Sequence, residues 1–223
     1  ISRNQHMLGL DSEITKDLES ADENRLVDAV TRYVEQEQPQ VMILEDYNKG
    51  VLTSKVIREV VQVCRNKGVA TTVDPKRRNF FSFEGVTVFK PNLKEVREAF
   101  NIIDENLNEE ALENIHKQLK ARLNHDVSFI TLSEKGVFYH DSDKQAIIPA
   151  HIRNIADVSG AGDTVIAVAS LVYAATKNTA LMAEVANLAG GIVCEEVGTA
   201  AISKEKLLEE CQAYLEYRAS NAG

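Results

Sequence analysis

Residues 157–165 read Asp157-Val158-Ser159-Gly160-Ala161-Gly162-Asp163-Thr164-Val165, and they open into an apolar run, Val165 to Ala175, of helical length. Two glycines, a small alanine and a carboxylate thus stand at the start of a predicted helix. Unpaired backbone N–H groups and the helix macrodipole favour an anion there. A phosphate on those amides would repel Asp163, so the carboxylate makes chemical sense acting on an acceptor hydroxyl beside the phosphate. That pairing points to phosphoryl transfer rather than simple phosphate binding. A plainer reading fits the same residues: Gly160 and Gly162 turn the chain, and Asp163 is a cap or first-turn acid. The stretch lacks the third glycine of a dinucleotide fingerprint, since residue 165 is Val, and no Gly-Lys-Ser/Thr of a P-loop occurs in the chain.

Outward from this stretch, buried strands alternate with helices. Asn24 to Glu37 has helical spacing and is stopped by Pro39; Val41 to Leu44 is a short strand ending in Glu45-Asp46. A helix capped by Ser54 runs to Gly68. The strand Val69 to Val73 is closed by Asp74-Pro75, and Val86 to Phe89 by Lys90-Pro91-Asn92. Helices near Leu93 to Phe100 and Glu109 to Leu123 follow, then the strand Val127 to Leu132 and a hairpin, Val137 to Tyr139 with Gln145 to Ile148. From Asp163 onward the pattern is helical, broken at Lys177-Asn178-Thr179 and Gly198. Such alternation predicts an α/β fold with a mainly parallel sheet flanked by helices on both faces.

Composition narrows the partners. The chain has 223 residues, 44% of them hydrophobic, enough for one sizeable α/β domain. With 25 Lys and Arg against 34 Asp and Glu, the net charge is -9 and no basic block stands out, which argues against a nucleic-acid surface. The 3 cysteines and 5 histidines are scattered, unlike a disulfide framework or a zinc site. No stretch has the length of a membrane span and no signal peptide opens the chain, so a cytoplasmic protein is expected.

Asp46, Asp74, Asn92 and Ser133 each stand just past the C-terminal end of an apolar strand, the edge where open α/β sheets form their ligand crevice. Strand ends are polar in any case, so the alignment matters chiefly in combination with the anion-binding helix.

Asp157-Val-Ser-Gly160-Ala161-Gly162-Asp163 resembles the Asp-Thr-x-Gly-Ala-Gly-Asp signature of the ribokinase-like (PfkB) carbohydrate kinases, and Asn92-Leu-Lys-Glu95 resembles their Asn-x-x-Glu motif. Ser2-Arg3-Asn4-Gln5, Asp46-Tyr-Asn-Lys49-Gly50, Asp74-Pro75-Lys76, Pro91-Asn92-Leu93 and Ala186-Asn187-Leu-Ala-Gly190-Gly191 are similar to the heptose-7-phosphate kinases that feed ADP-heptose into lipopolysaccharide synthesis. The resemblance implies a ribokinase-like fold using ATP and Mg²⁺, with a sugar phosphate as the acceptor. Asp163 is then the general base. Gly160, Ala161 and Gly162 offer backbone N–H groups to the transferring phosphoryl.

By the same resemblance Asn92, Leu93, Lys94 and Glu95 lie at the ATP phosphates, with Glu95 organising Mg²⁺ through its waters. Asn92 and Glu95 also have the spacing of a capping pair, and both roles are compatible. Thr131, Ser133, Lys135 and Gly136 resemble the turn flanking the nucleotide, and Asn187 with Gly190 the helix beside the adenine. Helix packing explains a glycine pair equally well. Arg3, Asn4, Asp46, Lys49 and Lys76 are expected on the sugar-phosphate side. Asp157, with the loop after Val197, is the candidate for a K⁺ ion.

The family extends further N-terminally, so the chain is expected to be a single domain, residues 1–223, resembling roughly the C-terminal two-thirds of a kinase. The exposed sheet edge this leaves is expected to favour association, a homodimer for instance, or disorder. The expected activity is transfer of the γ-phosphate to the anomeric hydroxyl of D-glycero-D-manno-heptose 7-phosphate. The alternatives are another ribokinase-like kinase, on a hexose, hexose phosphate or nucleoside, and a nucleotide-binding fragment without turnover.

Overall fold

The computed structural model describes residues 13, 15–103, 108–151 and 153–221. Six strands form one sheet in the order β1 (Val41–Glu45), β2 (Ala70–Asp74), β3 (Val88–Phe89), β4 (Val127–Thr131), β5 (Val137–His140) and β6 (Gln145–Ile148). The first four run parallel, and β5 and β6 return antiparallel as a hairpin. The helices are α1 (Ser20–Glu37), α2 (Ser54–Asn66), α3 (Leu93–Phe100), α4 (Glu109–Leu123), α5 (Ala161–Thr176), α6 (Thr179–Val193) and α7 (Lys204–Asn221). This is the α/β architecture read from the sequence. No helix among the described residues is long and apolar enough to cross a membrane.

Alternation along the central strands divides the interior into two layers. Val127 and Phe129 of β4, with Val137 and Tyr139 of β5, pack towards α5 and α6. Ile130 and Phe138, one residue out of phase, join Val56, Ile57, Leu112 and Leu119 on the face covered by α1, α2 and α4. The period of two thus buries both faces of the same strands, which is why they read as continuous apolar runs.

Local chemistry sets most boundaries. α3 begins at a complete capping box between Asn92 and Glu95, and α4 at Asn108, whose side chain accepts from Ala111 N–H. The cap of α2 is Thr53, one residue before the expected Ser54: its Oγ1 accepts from Val56 N–H and donates to the Glu23 carboxylate of α1. β3 is only two residues long, and just before it Thr71 and Thr87 exchange hydrogen bonds in which each hydroxyl accepts from the other's N–H.

The position of α5 governs the site. It lies along β1 and β2 and packs extensively on α6. Thr72 of β2 and Ser170 of α5 share a buried hydrogen bond of 2.6 Å, a polar pin in an otherwise apolar contact. The helix begins at Ala161, four residues before its apolar run opens at Val165, so its first turn includes Gly162 and Asp163.

Candidate active site

Gly160 caps α5 in the left-handed region, φ 77°, and a Cβ there would stand 2.9 Å from Thr199 Cγ2. Both conformation and space therefore call for glycine. Ala161 N–H makes a long bond of 3.3 Å to Val158 O, and Thr164 N–H bonds Gly160 O at 3.0 Å. Between them, the N–H groups of Gly162 and Asp163 belong to the first helical turn, ahead of the intrahelical ladder. Of the three small residues expected to offer amides, Ala161 is thus partly committed to the turn.

Beneath this turn runs a line of alternating charges. A Cβ on Gly162 would lie 3.8 Å from Asp74 Oδ2 and 3.9 Å from Lys90 Nζ. Lys90 Nζ is 3.3 Å from Asp74 Oδ1, and Lys76 Nζ is 3.4 Å from that same oxygen and 2.9 Å from Glu95 Oε1. Glu95 Oε2 accepts from Asn92 N–H at 2.8 Å. The sequence Lys90, Asp74, Lys76, Glu95 therefore joins the ends of β2 and β3 to the start of α3. Burial works against the Lys76 charge, but the Asp74 charge and the hydrogen bond to Glu95 outweigh it and hold the ammonium above its ordinary range.

Asp163 faces the same space from α5 and is exposed. Burial, then hydrogen bonding to the Asp163 carboxylate, pushes the Tyr47 phenol up to about 12. Glu45, at the end of β1, is raised by burial first and then by the charges of Asp163 and Asp74. The C-terminal ends of three parallel strands and the N-terminus of α5 thus converge on one crevice, as open α/β sheets require. A cleft of about 240 Å³ bounded by Arg65, Thr71, Asp126 and Lys177 lies at the opposite edge of the sheet, away from these groups.

The remaining candidates fall in varied places. Arg3 and Asn4 lie outside the described residues. Asp46 is turned inward: Oδ1 accepts from Asn48 N–H at 2.8 Å and Oδ2 from Asn79 Nδ2 at 3.0 Å. Lys49 pairs with Glu13 and lies over the Tyr47 ring. Leu93 packs against the core, while Lys94 is solvent-exposed and 4.0 Å from Glu98.

Thr131, bridged to Asn92, ends β4; Ser133 and Lys135 form the exposed 3₁₀ turn that follows. Gly136 closes that turn at φ 94°, where a Cβ would stand 2.0 Å from Ile148 O, so the β5–β6 hairpin itself demands glycine. Asn187 is buried and donates to Pro149 O at 2.9 Å. A Cβ on Gly190 would meet Val165 Cγ2 at 2.7 Å, so close packing of α5 on α6 accounts for this glycine.

Asp157 accepts from Ser159 N–H at 2.9 Å and Ser159 Oγ at 2.8 Å through one oxygen, and from Gly198 N–H at 3.2 Å through the other. Those bonds, the Ser159 backbone foremost, hold its carboxyl below the usual range. The residue does meet the loop after Val197, in a hydrogen-bonded contact.

Glu45, Tyr47 and Lys90 are site members that the sequence alone does not single out. Lys90 had a signal: a lysine following directly on the apolar run Val86 to Phe89 needs a buried counter-ion, and Asp74 ends the neighbouring strand. Tyr47 had none beyond its place next to Asp46.

The pfkB family carbohydrate kinase profile matches residues 13–206. The chain is 36% identical to the Bifunctional protein HldE of Koribacter versatilis over 96% of its own length and 43% of that protein, and 34% identical to that of Sulfurimonas denitrificans over 100% and 45%. It therefore spans less than half the length of these curated relatives. Among solved structures, phosphofructokinase-2 of Escherichia coli in complex with potassium superposes with a TM-score of 0.76 at 16% identity, covering 90% of this chain and 64% of that one. Arabidopsis thaliana ribokinase complexed with ribose and ATP gives 0.69 at 14%, covering 87% and 60%. At such identities the likeness concerns the fold. The profile match, spanning most of the chain and containing the α5 glycines and the line of charges beneath them, places this chain in the pfkB family of carbohydrate kinases.

Proposed function

We propose that the chain transfers the γ-phosphoryl group of ATP to the anomeric hydroxyl of D-glycero-D-manno-heptose 7-phosphate. The observation that carries the reaction type is the placement of Asp163 in the same helical turn as the free amides of α5, above Asp74 and Lys90. The sugar hydroxyl attacks the γ-phosphorus, the bond to the bridging oxygen breaks, ADP departs, and the hydroxyl proton passes to the Asp163 carboxylate. The N–H groups of Gly162 and Asp163 face the charge spread over the transferring oxygens. Lys90 offsets Asp74, so that the phosphate does not meet an uncompensated carboxylate.

Asp74 and Glu95 are oxygen donors of the kind Mg²⁺ takes, and Mg²⁺ would draw ATP phosphate charge towards them. Among the described residues no group of three or more His, Cys, Asp or Glu side chains could hold a metal ion, so at Asp74 and Glu95 water would complete the coordination. The heptose acceptor is supported by the short motifs shared with heptose-7-phosphate kinases and by relatives named Bifunctional protein HldE.

The test is ADP release from Mg-ATP on adding the heptose phosphate, with Asp163→Asn as the comparison. Turnover should fall about 10²- to 10⁴-fold in the variant. Turnover that survives the substitution removes Asp163 from its role. Activity on another sugar alone reassigns the acceptor, and ATP binding without turnover on any sugar indicates a nucleotide-binding module.

A further inference from the structure

The line of charges under α5 contains one member free to leave it. Asp74 and Glu95 have side chains only 9% and 10% exposed, so each needs a counter-charge at close range. Lys90, 2% exposed and enclosed, can serve Asp74 alone. Lys76 bridges both carboxylates, and with 32% of its side chain exposed it has an open path to solvent. Both oxygens of Glu95 are engaged, Oε2 by Asn92 N–H in the capping box and Oε1 by Lys76. A cation approaching Glu95 therefore finds its accessible oxygen already held by an ammonium.

We propose that Lys76 is a place-holder for the divalent cation: it neutralises Glu95 and Asp74 in the metal-free chain, and gives up Glu95 Oε1 when the metal enters. This inference rests on the kinase reading, in which Glu95 faces Mg²⁺ and its waters. A dipositive ion and an ammonium on one carboxylate oxygen repel strongly at about 3–4 Å in a partly desolvated site. The capping bond fixes Glu95, and Lys90 keeps Asp74 neutralised, so Lys76 is the group that moves. Once released, its flexible four-carbon stem leaves a cation beside the crevice, available to phosphate oxygens. Lys76 is thus a positioning residue that keeps the two carboxylates folded in when no metal is bound.

The experiment needs neither sugar nor turnover. Mn²⁺ stands in for Mg²⁺, and the free ion is counted by electron paramagnetic resonance with nucleotide-free protein. Lys76→Met should bind Mn²⁺ tighter by on the order of tenfold, and Lys76→Arg should stay near the parent. In a Glu95→Gln background, Lys76→Met should no longer change Mn²⁺ affinity. In the unsubstituted protein, labelling of Lys76 by an amine-reactive reagent, read by mass spectrometry, should rise on adding Mn²⁺. This second readout stands even if a variant folds poorly.

Equal or weaker Mn²⁺ binding by a folded Lys76→Met, or labelling indifferent to Mn²⁺, overturns the proposal. So does absence of Mn²⁺ binding in every form, since Lys76 would then have nothing to yield to. The kinase reading is judged separately, by ADP release and its loss in Asp163→Asn.

Discussion

Lys90 Nζ lies 3.3 Å from Asp74 Oδ1, with 2% of the lysine and 9% of the aspartate side chain exposed, directly below the turn that carries Gly162. Such a pair offsets its own desolvation only while both charges are present. The carboxylate has a second, more exposed partner in Lys76, so the two halves of the pair are not equally replaceable.

Lys90→Met should destabilise the fold by about 2–4 kcal/mol, because Asp74 stays buried with a single, mobile counter-ion. Urea unfolding of Lys90→Met, Asp74→Leu and the double variant checks this. The double variant should be less damaged than the sum of the singles.

Two alanine substitutions in the α5 turn should separate shape from chemistry. Gly160→Ala forces a Cβ into the left-handed region and against Thr199, and should cost about 1–2 kcal/mol of stability along with activity. Gly162→Ala meets only ordinary contacts and gains helix propensity, so it should leave stability unchanged or raise it by up to about 1 kcal/mol. Its turnover should still fall, because the new methyl group points towards Asp74 and Lys90. Thermal melts and ADP release measured side by side would show the two effects apart.

Gly190→Ala should destabilise by about 1–3 kcal/mol through overpacking against Val165, with the Kd for ATP little changed. Adding Val165→Ala should return part of the loss. Calorimetric titration with ATP provides the contrary test: a large loss of affinity in a folded variant would put Gly190 at the nucleotide.

Acid should weaken the fold through a histidine cluster remote from the active site. Ser128 Oγ lies 2.9 Å from His116 Nδ1 and 2.7 Å from His125 Nε2, and the His116 ring stacks on His140. Burial first, then neighbouring positive charge, pushes His116 down to about 4 and His125 to about 3. Unfolded imidazoles take up protons near 6.5, so between that value and about 3–4 the unfolded state binds more protons and stability falls as pH drops. Denaturation midpoints measured from about pH 7.5 to 5 should decline below about 6.5, and His125→Gln should flatten the slope.

The helices α3 and α4 fall where capping residues and apolar spacing put them, as do both strands of the β5–β6 hairpin, because those signals are local. The convergence of Asp74 and Asp163 on one crevice was likewise legible, from strand ends and a helix start. What escaped depends on partners distant in the chain. Asp46 reads as a crevice carboxylate until Asn79 is seen to hold it inward, and nothing in the sequence shows that Lys76 pairs with Glu95 and Asp74. Charge type is visible in a sequence; which opposite charge lies across the fold is not.

The α5 turn keeps its shape through two residues that come after α6: Gly198, whose N–H holds Asp157, and Thr199, whose methyl group lies against Gly160. The glycine signature is therefore a statement about two stretches of chain. A protein shortened to end at α6 would still spell every letter of it and would have lost the mould that sets its geometry.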